Sequence, residues 1–94
     1  MAEYHVNDLP ESVLDEAARI TAHEREIAYG SPLANHQRIA AIWSVILGVE
    51  VTPGQVALCM AGTKLARLAH TPMHRDSVVD LAGYARAYQR IMNL

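Results

Sequence analysis

Residues 64–88, KLARLAHTPMHRDSVVDLAGYARAY, carry the reading of the fold. A basic pair, Lys64 and Arg67, precedes a Thr71-Pro72 corner. Two carboxylates one helical turn apart, Asp76 and Asp80, follow it, and then a Gly83-Tyr84 step. On an antiparallel helical hairpin about Pro72, positions equidistant from the corner lie level. Lys64 is eight residues before Pro72 and Asp80 eight after; Arg67 is five before, one residue off register with Asp76. Spacings of i, i+3 and i, i+4 put each pair on one helix face. The pairs are therefore expected to meet. They would either form ion pairs that fix the hairpin register or build a site. In a site, Asp76 and Asp80 hold a divalent ion and Lys64 and Arg67 a phosphate.

The corner chemistry recurs. Ser31-Pro32, Thr52-Pro53 and Thr71-Pro72 each read as a helix start. A hydroxyl caps free N–H groups of the first turn, and proline at the first helical position loses no hydrogen bond. Gln55, three residues after Thr52, completes a capping box. Four helices are expected. The first covers residues 9–22, capped by Asp8 with Glu11 and apolar along Val13, Leu14, Ala17, Ile20 and Thr21. The second covers 32–47, with an Ile39, Ala40, Trp43, Ile46, Leu47 stripe and Gly48 at its end. The third, 53–70, is apolar on most sides through Val56, Leu58, Cys59, Met60, Leu65 and Leu68, so it is expected at the centre. The fourth, 73–92, is expected to face inward with Val78, Leu81, Ala82, Ala85, Tyr88 and Met92. Residues 1–8 read as an arm and 23–30 as a loop. The fold class is all-α: a compact four-helix bundle with short loops, a single domain over 1–94, with antiparallel neighbours.

Composition agrees. The 94 residues are 51% hydrophobic and 19% charged, a globular balance. With no Phe and an excess of Ala, Leu, Ile and Val, packed helices suit them better than a β-sandwich. The apolar content is high for this length, and a homo-oligomer is expected. The net charge of −2 disfavours non-specific binding of duplex nucleic acid but leaves room for a small anionic ligand in a local basic pocket. Cys59, the single cysteine, sits in an apolar run and reads as a buried thiol in a reducing compartment. No basic segment leads into an apolar stretch at the N-terminus, and no apolar run approaches the ~20 residues that span a membrane, so the expectation is cytoplasmic.

A second polar group lies around the start of the second helix: Arg25, Tyr29, Gly30, Asn35, His36 and Arg38. Free N–H groups there favour an anion; the alternative is a solvated helix end with Tyr29 packed on the core. His70 and His74 straddle Pro72, which breaks the helical geometry that paired zinc ligands need. Neither a Ser nor a Cys nucleophile has an evident base, glycine-rich phosphate loops are absent, and 53–70 is too apolar for a recognition helix.

The motifs YGSPLANHQRIAAIWSVILG, VTPGQVALCMAGTKLARL and DSVVDLAGYA resemble a family of small all-α proteins from tailed phages whose function is unassigned. The likeness rests on Arg25, Tyr29, Gly30, Pro32, Asn35, Trp43, Lys64, Arg67, Asp76, Asp80, Gly83 and Tyr84, and covers nearly all of the chain after residue 12. That family is in turn distantly similar to MazG-like and nucleotide-modification-associated domains, all-α folds that bind nucleoside phosphates. Their hydrolytic members hold Mg²⁺ with an E-x-x-E pair and an E-x-x-D pair. This chain has no E-x-x-E, and Ser77 stands where E-x-x-D would have its glutamate.

The resemblance therefore implies a phage-encoded protein that binds a small nucleotide without hydrolysing it, in the host cytosol during infection. It could sequester a nucleotide, such as a cyclic signal of host antiviral defence. Arg25, Tyr29, Asn35, His36, Arg38, Lys64, Arg67 and Tyr84 are the expected nucleotide and phosphate contacts. Asp76 and Asp80 are the expected ligands of one Mg²⁺. Two alternatives stay open: a Mg²⁺-dependent nucleoside triphosphate pyrophosphohydrolase of MazG-like type, and a helical module that binds a host protein.

Overall fold

A computed structural model of the chain describes residues 10–24 and 31–94. The expected arm at 1–8 and its Asp8 cap lie outside the described residues, as do Arg25, Tyr29 and Gly30. Among the described residues the chain is all-α. Helix α1 spans Val13–Arg19 and runs into a π-helical turn, Ile20–Glu24. Helix α2 spans Pro32–Leu47, α3 Pro53–His70 and α4 Arg75–Met92. Among the described residues no helix is long and apolar enough to cross a membrane.

Two of the three Ser/Thr-Pro starts form as expected. The Ser31 hydroxyl accepts from the Ala34 N–H at 3.2 Å. Thr52 accepts from the Gln55 N–H at 3.2 Å, while the Gln55 side chain takes the Thr52 N–H at 2.9 Å, a complete capping box. Helix α2 stops at Gly48, whose φ of 72° needs a residue without a Cβ penalty. The link to α3 is pinned by Ser44. Its hydroxyl receives the Val51 N–H at 2.8 Å and donates to the Ala40 carbonyl at 2.7 Å.

The third start is a correction. Thr71 closes α3, donating its N–H to the Arg67 carbonyl at 2.8 Å, and its own carbonyl accepts the His74 N–H at 3.1 Å. Pro72 thus sits second in a four-residue turn, where its fixed φ is equally suited. Helix α4 begins two residues later than expected, with His74 as its N-cap. The first helix also differs: Ser12 caps it, accepting from the Leu14 N–H at 3.2 Å.

Helix α4 is the hub, in place of α3. It packs on α3 most extensively, then on α1, and also on α2 and the π turn. The buried apolar side chains are small: Ala17, Ala40, Val56, Ala57 and Val79. Cys59 is exposed, and the buried residues of α3 (Gly54, Val56, Ala57) all lie in its first turns. On α4 the buried ridge is Ser77, Val79 and Gly83, displaced from the expected face. Val78, Leu81, Ala82 and Tyr88 are half-buried, and Ala85 and Met92 are exposed. The end of α2 is apolar on its outer side as well: Ile42, Val45 (84% exposed), Ile46 (72%), Leu47 and, just beyond, Val49 all reach solvent.

Candidate functional site

Where α2 crosses α4 and the π turn, the helices leave a cavity of about 370 Å³. A close approach by Gly83 shapes it: a Cβ there would stand 3.2 Å from the Thr21 methyl of the π turn. Helix α2 contributes Asn35 and His36, and Met60 of α3 adds an apolar wall. Helix α4 contributes Asp80 and Tyr84 one turn apart, and Arg86 and Arg90 one turn apart beyond them.

His36 is the most enclosed polar side chain among them. It is only 6% exposed. Its Nδ1 lies 2.7 Å from the Pro32 carbonyl oxygen, one turn back on α2. Its Nε2 is buried in the wall and meets no hydrogen-bond partner among the described residues. A buried polar atom normally has a partner, so an orphan of this kind needs a reason. Asp80 is engaged from the other side: its Oδ2 receives Lys64 Nζ at 3.1 Å. Arg86 donates to the Gln89 side-chain oxygen at 2.6 Å, which holds its guanidinium along α4.

Of the residues expected at a site, Asn35, His36, Asp80 and Tyr84 share this cavity. Lys64 is attached to it through Asp80. Arg38 is exposed on α2 and does not line it. Arg67 does not meet Asp76. The later start of α4 brings His74 opposite, and Arg67 Nη2 lies 3.4 Å from His74 Nε2. The other ring nitrogen of His74 holds the Ser77 hydroxyl at 2.7 Å. Asp76 is exposed in the first turn of α4, where a carboxylate complements the helix dipole. With Asp80 paired to Lys64 and Asp76 exposed, these carboxylates do not fit a resident Mg²⁺, which takes converging oxygen ligands. Among the described residues no group of three or more His, Cys, Asp or Glu is placed to hold a metal ion.

Arg86, Arg90 and Thr21 were missed in the sequence. The ridge Asp80, Gly83, Ala87, Arg90 runs along α4 at helical spacing, and the glycine that lets the π turn approach marks the face.

Residues 12–92 match the family described as a domain of unknown function, DUF6378. Two relatives carry the name Gene 55 protein. That of Mycobacterium phage L5 is 41% identical over 81 residues, covering 85% of this chain and 52% of the relative. That of Mycobacterium phage D29 is 42% identical over 83 residues, covering 88% and 55%. The chain thus spans about half the length of the curated relatives it matches. No solved structure matches.

Proposed function

Since the chain belongs to the DUF6378 family of phage proteins, whose function is unknown, we propose a function from the cavity itself: it binds a small nucleotide and does not hydrolyse it. One observation carries this reading. One cavity of about 370 Å³ is lined by a largely buried imidazole, a tyrosine and an arginine pair. Its volume falls within the range of small-molecule sites, and convergent polar groups on an apolar wall are what such sites use for orientation. Arg86 and Arg90 suit phosphate oxygens, Tyr84 suits the face of a base, and Asn35 with His36 suits a base edge. Binding without hydrolysis is favoured by the carboxylates: phosphoryl chemistry with metal ions needs several converging on one point, and Asp80 is instead tied to Lys64. Mg²⁺ would then arrive on the ligand phosphates. A phage could use such a protein to withdraw a nucleotide signal from its host.

The test is thermal shift and calorimetry with nucleoside mono- and triphosphates and cyclic oligonucleotides, with and without Mg²⁺, followed by chromatography of the ligand. Saturable binding with the ligand recovered intact, weakened at least tenfold in an Arg86→Glu/Arg90→Glu double variant, supports the reading. Release of pyrophosphate would replace it with the MazG-like hydrolase. No interaction with any nucleotide would overturn it.

A second reading, as an interaction module, is favoured by the outer side of α2. Ile42, Val45 and Ile46 recur at i, i+3 and i+4, Leu47 and Val49 are exposed beside them, and no charged residue falls between Arg38 and Glu50. A helix that is apolar all round is normally covered. The occupant we favour is a second copy of the chain. The stripe bears no charge with which to choose a different partner, so we favour self-pairing; a specific interface of this kind needs to bury on the order of 1,000 Å² in total. Light scattering should give a dimer mass that Val45→Glu returns to the monomer. A monomer mass for the unaltered chain at tens of micromolar would overturn the pairing.

A further inference from the structure

We propose that an apolar groove along α4 is the seat of the chain's own N-terminal segment, residues 1–9. The groove holds about 450 Å³ and lies where α1, α3 and α4 meet. It shares no lining residue with the outer side of α2, and the proposal stands apart from the nucleotide reading of the cavity.

Val78, Leu81, Ala82, Ala85 and Tyr88 form the face of α4 that its periodicity points inward, and all five line this groove. Apart from two tyrosine hydroxyls, every side chain that lines it is apolar. Among them Leu14 is 69% exposed and Leu58 54%. Hydrocarbon left in water in this way favours a cover. The path of the chain indicates which one. Arg75, the first residue of α4, donates to the Glu11 carbonyl, so the chain passes the start of α4 on its way into α1. Val13 and Leu14 follow and line the groove, and Val78 is one turn beyond Arg75. The segment before Pro10 therefore arrives at one end of the groove. Val78 and Tyr88 are ten residues apart, which is ~15 Å along a helix. The nine residues before Pro10, extended, reach ~30 Å. Ala2, Tyr4 and Val6 alternate with Glu3, His5 and Asn7. An extended segment of that pattern lays its apolar side chains on one side and its polar ones on the other. A tether this short also gives the segment an effective concentration on the order of millimolar, which puts a second copy of the chain at a disadvantage for the same groove.

The whole chain carries a natural position for a probe. Cys59, its single cysteine, is exposed on α3 beside Leu58 of the groove. A nitroxide attached there should strip most of the intensity from the amide signals of residues 3–8, compared with the reduced label. Nuclear Overhauser contacts from the Tyr4 ring to the methyls of Ala82 and Ala85 should accompany the loss. A Tyr4→Ser/Val6→Ser double variant should restore most of the intensity, and so, separately, should Ala85→Glu. The first pair lies outside the helices described and Ala85 is exposed, so the amide spectrum of the bundle itself should stay in place in both. Full intensity in the unaltered, nitroxide-bearing chain would overturn the proposal. So would a loss that survives in either variant, since nearness to the label without seating in the groove would do the same. Mixing nitroxide-bearing chain at natural abundance with ¹⁵N-labelled chain tests the other occupant. A loss between chains as strong as that within one would seat the segment on a second copy and overturn the proposal.

Discussion

Lys64 Nζ lies 3.1 Å from Asp80 Oδ2, joining α3 to α4 at positions equidistant from Pro72. Both side chains are about a quarter exposed, at 28% and 25%, so water screens the pair only in part. Exposed pairs couple by a few tenths of a kcal/mol and fully buried ones by several, which puts this one at about 1 kcal/mol. A double-mutant cycle of Lys64→Met and Asp80→Asn in urea should return that coupling. Strictly additive losses would show that the pair does not hold the hairpin.

The two kinds of Thr-Pro corner should separate on mutation. Thr52→Ala removes the acceptor for the Gln55 N–H and half of a capping box, and should cost about 1 kcal/mol. Thr71 caps no helix start and its hydroxyl meets only the neighbouring His70 ring, at 3.1 Å, so Thr71→Ala should cost less than Thr52→Ala, about 0.5 kcal/mol. Equal losses in thermal denaturation would contradict the placement of Pro72 in a turn.

Ser44 is expected to matter more than its place in a solvent-facing apolar stretch suggests. Ser44→Ala leaves the Val51 N–H without its 2.8 Å acceptor at a half-buried site, for a loss of about 1–2 kcal/mol. Hydrogen exchange at the Val51 amide should rise with it. Unchanged protection there would show the link to be held by something else.

Gly83 sets how closely the π turn approaches α4. Alanine there gains up to ~1 kcal/mol of helix propensity but must displace the Thr21 methyl slightly from 3.2 Å, so Gly83→Ala should be near neutral. Gly83→Val adds bulk with no room to take it and should cost about 1–3 kcal/mol. It should also weaken nucleotide binding, since the same contact shapes the cavity. A fully stable Gly83→Val with unaltered binding would mean that the π turn is free to move.

The helix boundaries were largely legible, because capping and proline chemistry act locally: α2 and α3 begin and end where Ser31-Pro32, Gly48, Thr52-Pro53 and the Thr71 corner place them. The Lys64–Asp80 contact was legible too, since a tight hairpin turns sequence distance into height along the helices. Burial was not. Periodicity tells which side of a helix is apolar, not whether a neighbour covers it, and so Cys59, Leu58 and Leu65 on α3 were expected inside and lie exposed. Arg67 was matched with Asp76 by register alone; the turn at Thr71–His74 put an imidazole there instead. The cavity depends on a π turn and a glycine contact between elements far apart in the sequence, which no local pattern encodes.

The small side chains at the centre of the bundle have a thermodynamic consequence. Among the described residues the fully buried apolar side chains are Ala17, Ala40, Val56, Ala57 and Val79, and unfolding them uncovers less hydrocarbon than a core of large side chains would. The heat-capacity increment, which grows with apolar surface exposed, should be small, and the stability curve correspondingly flat, with a broad thermal transition. The urea m-value follows the same surface. Both quantities should therefore be low for an isolated chain and rise together if two copies close over the outer side of α2. The slope of a denaturation curve would thus report whether that surface is covered.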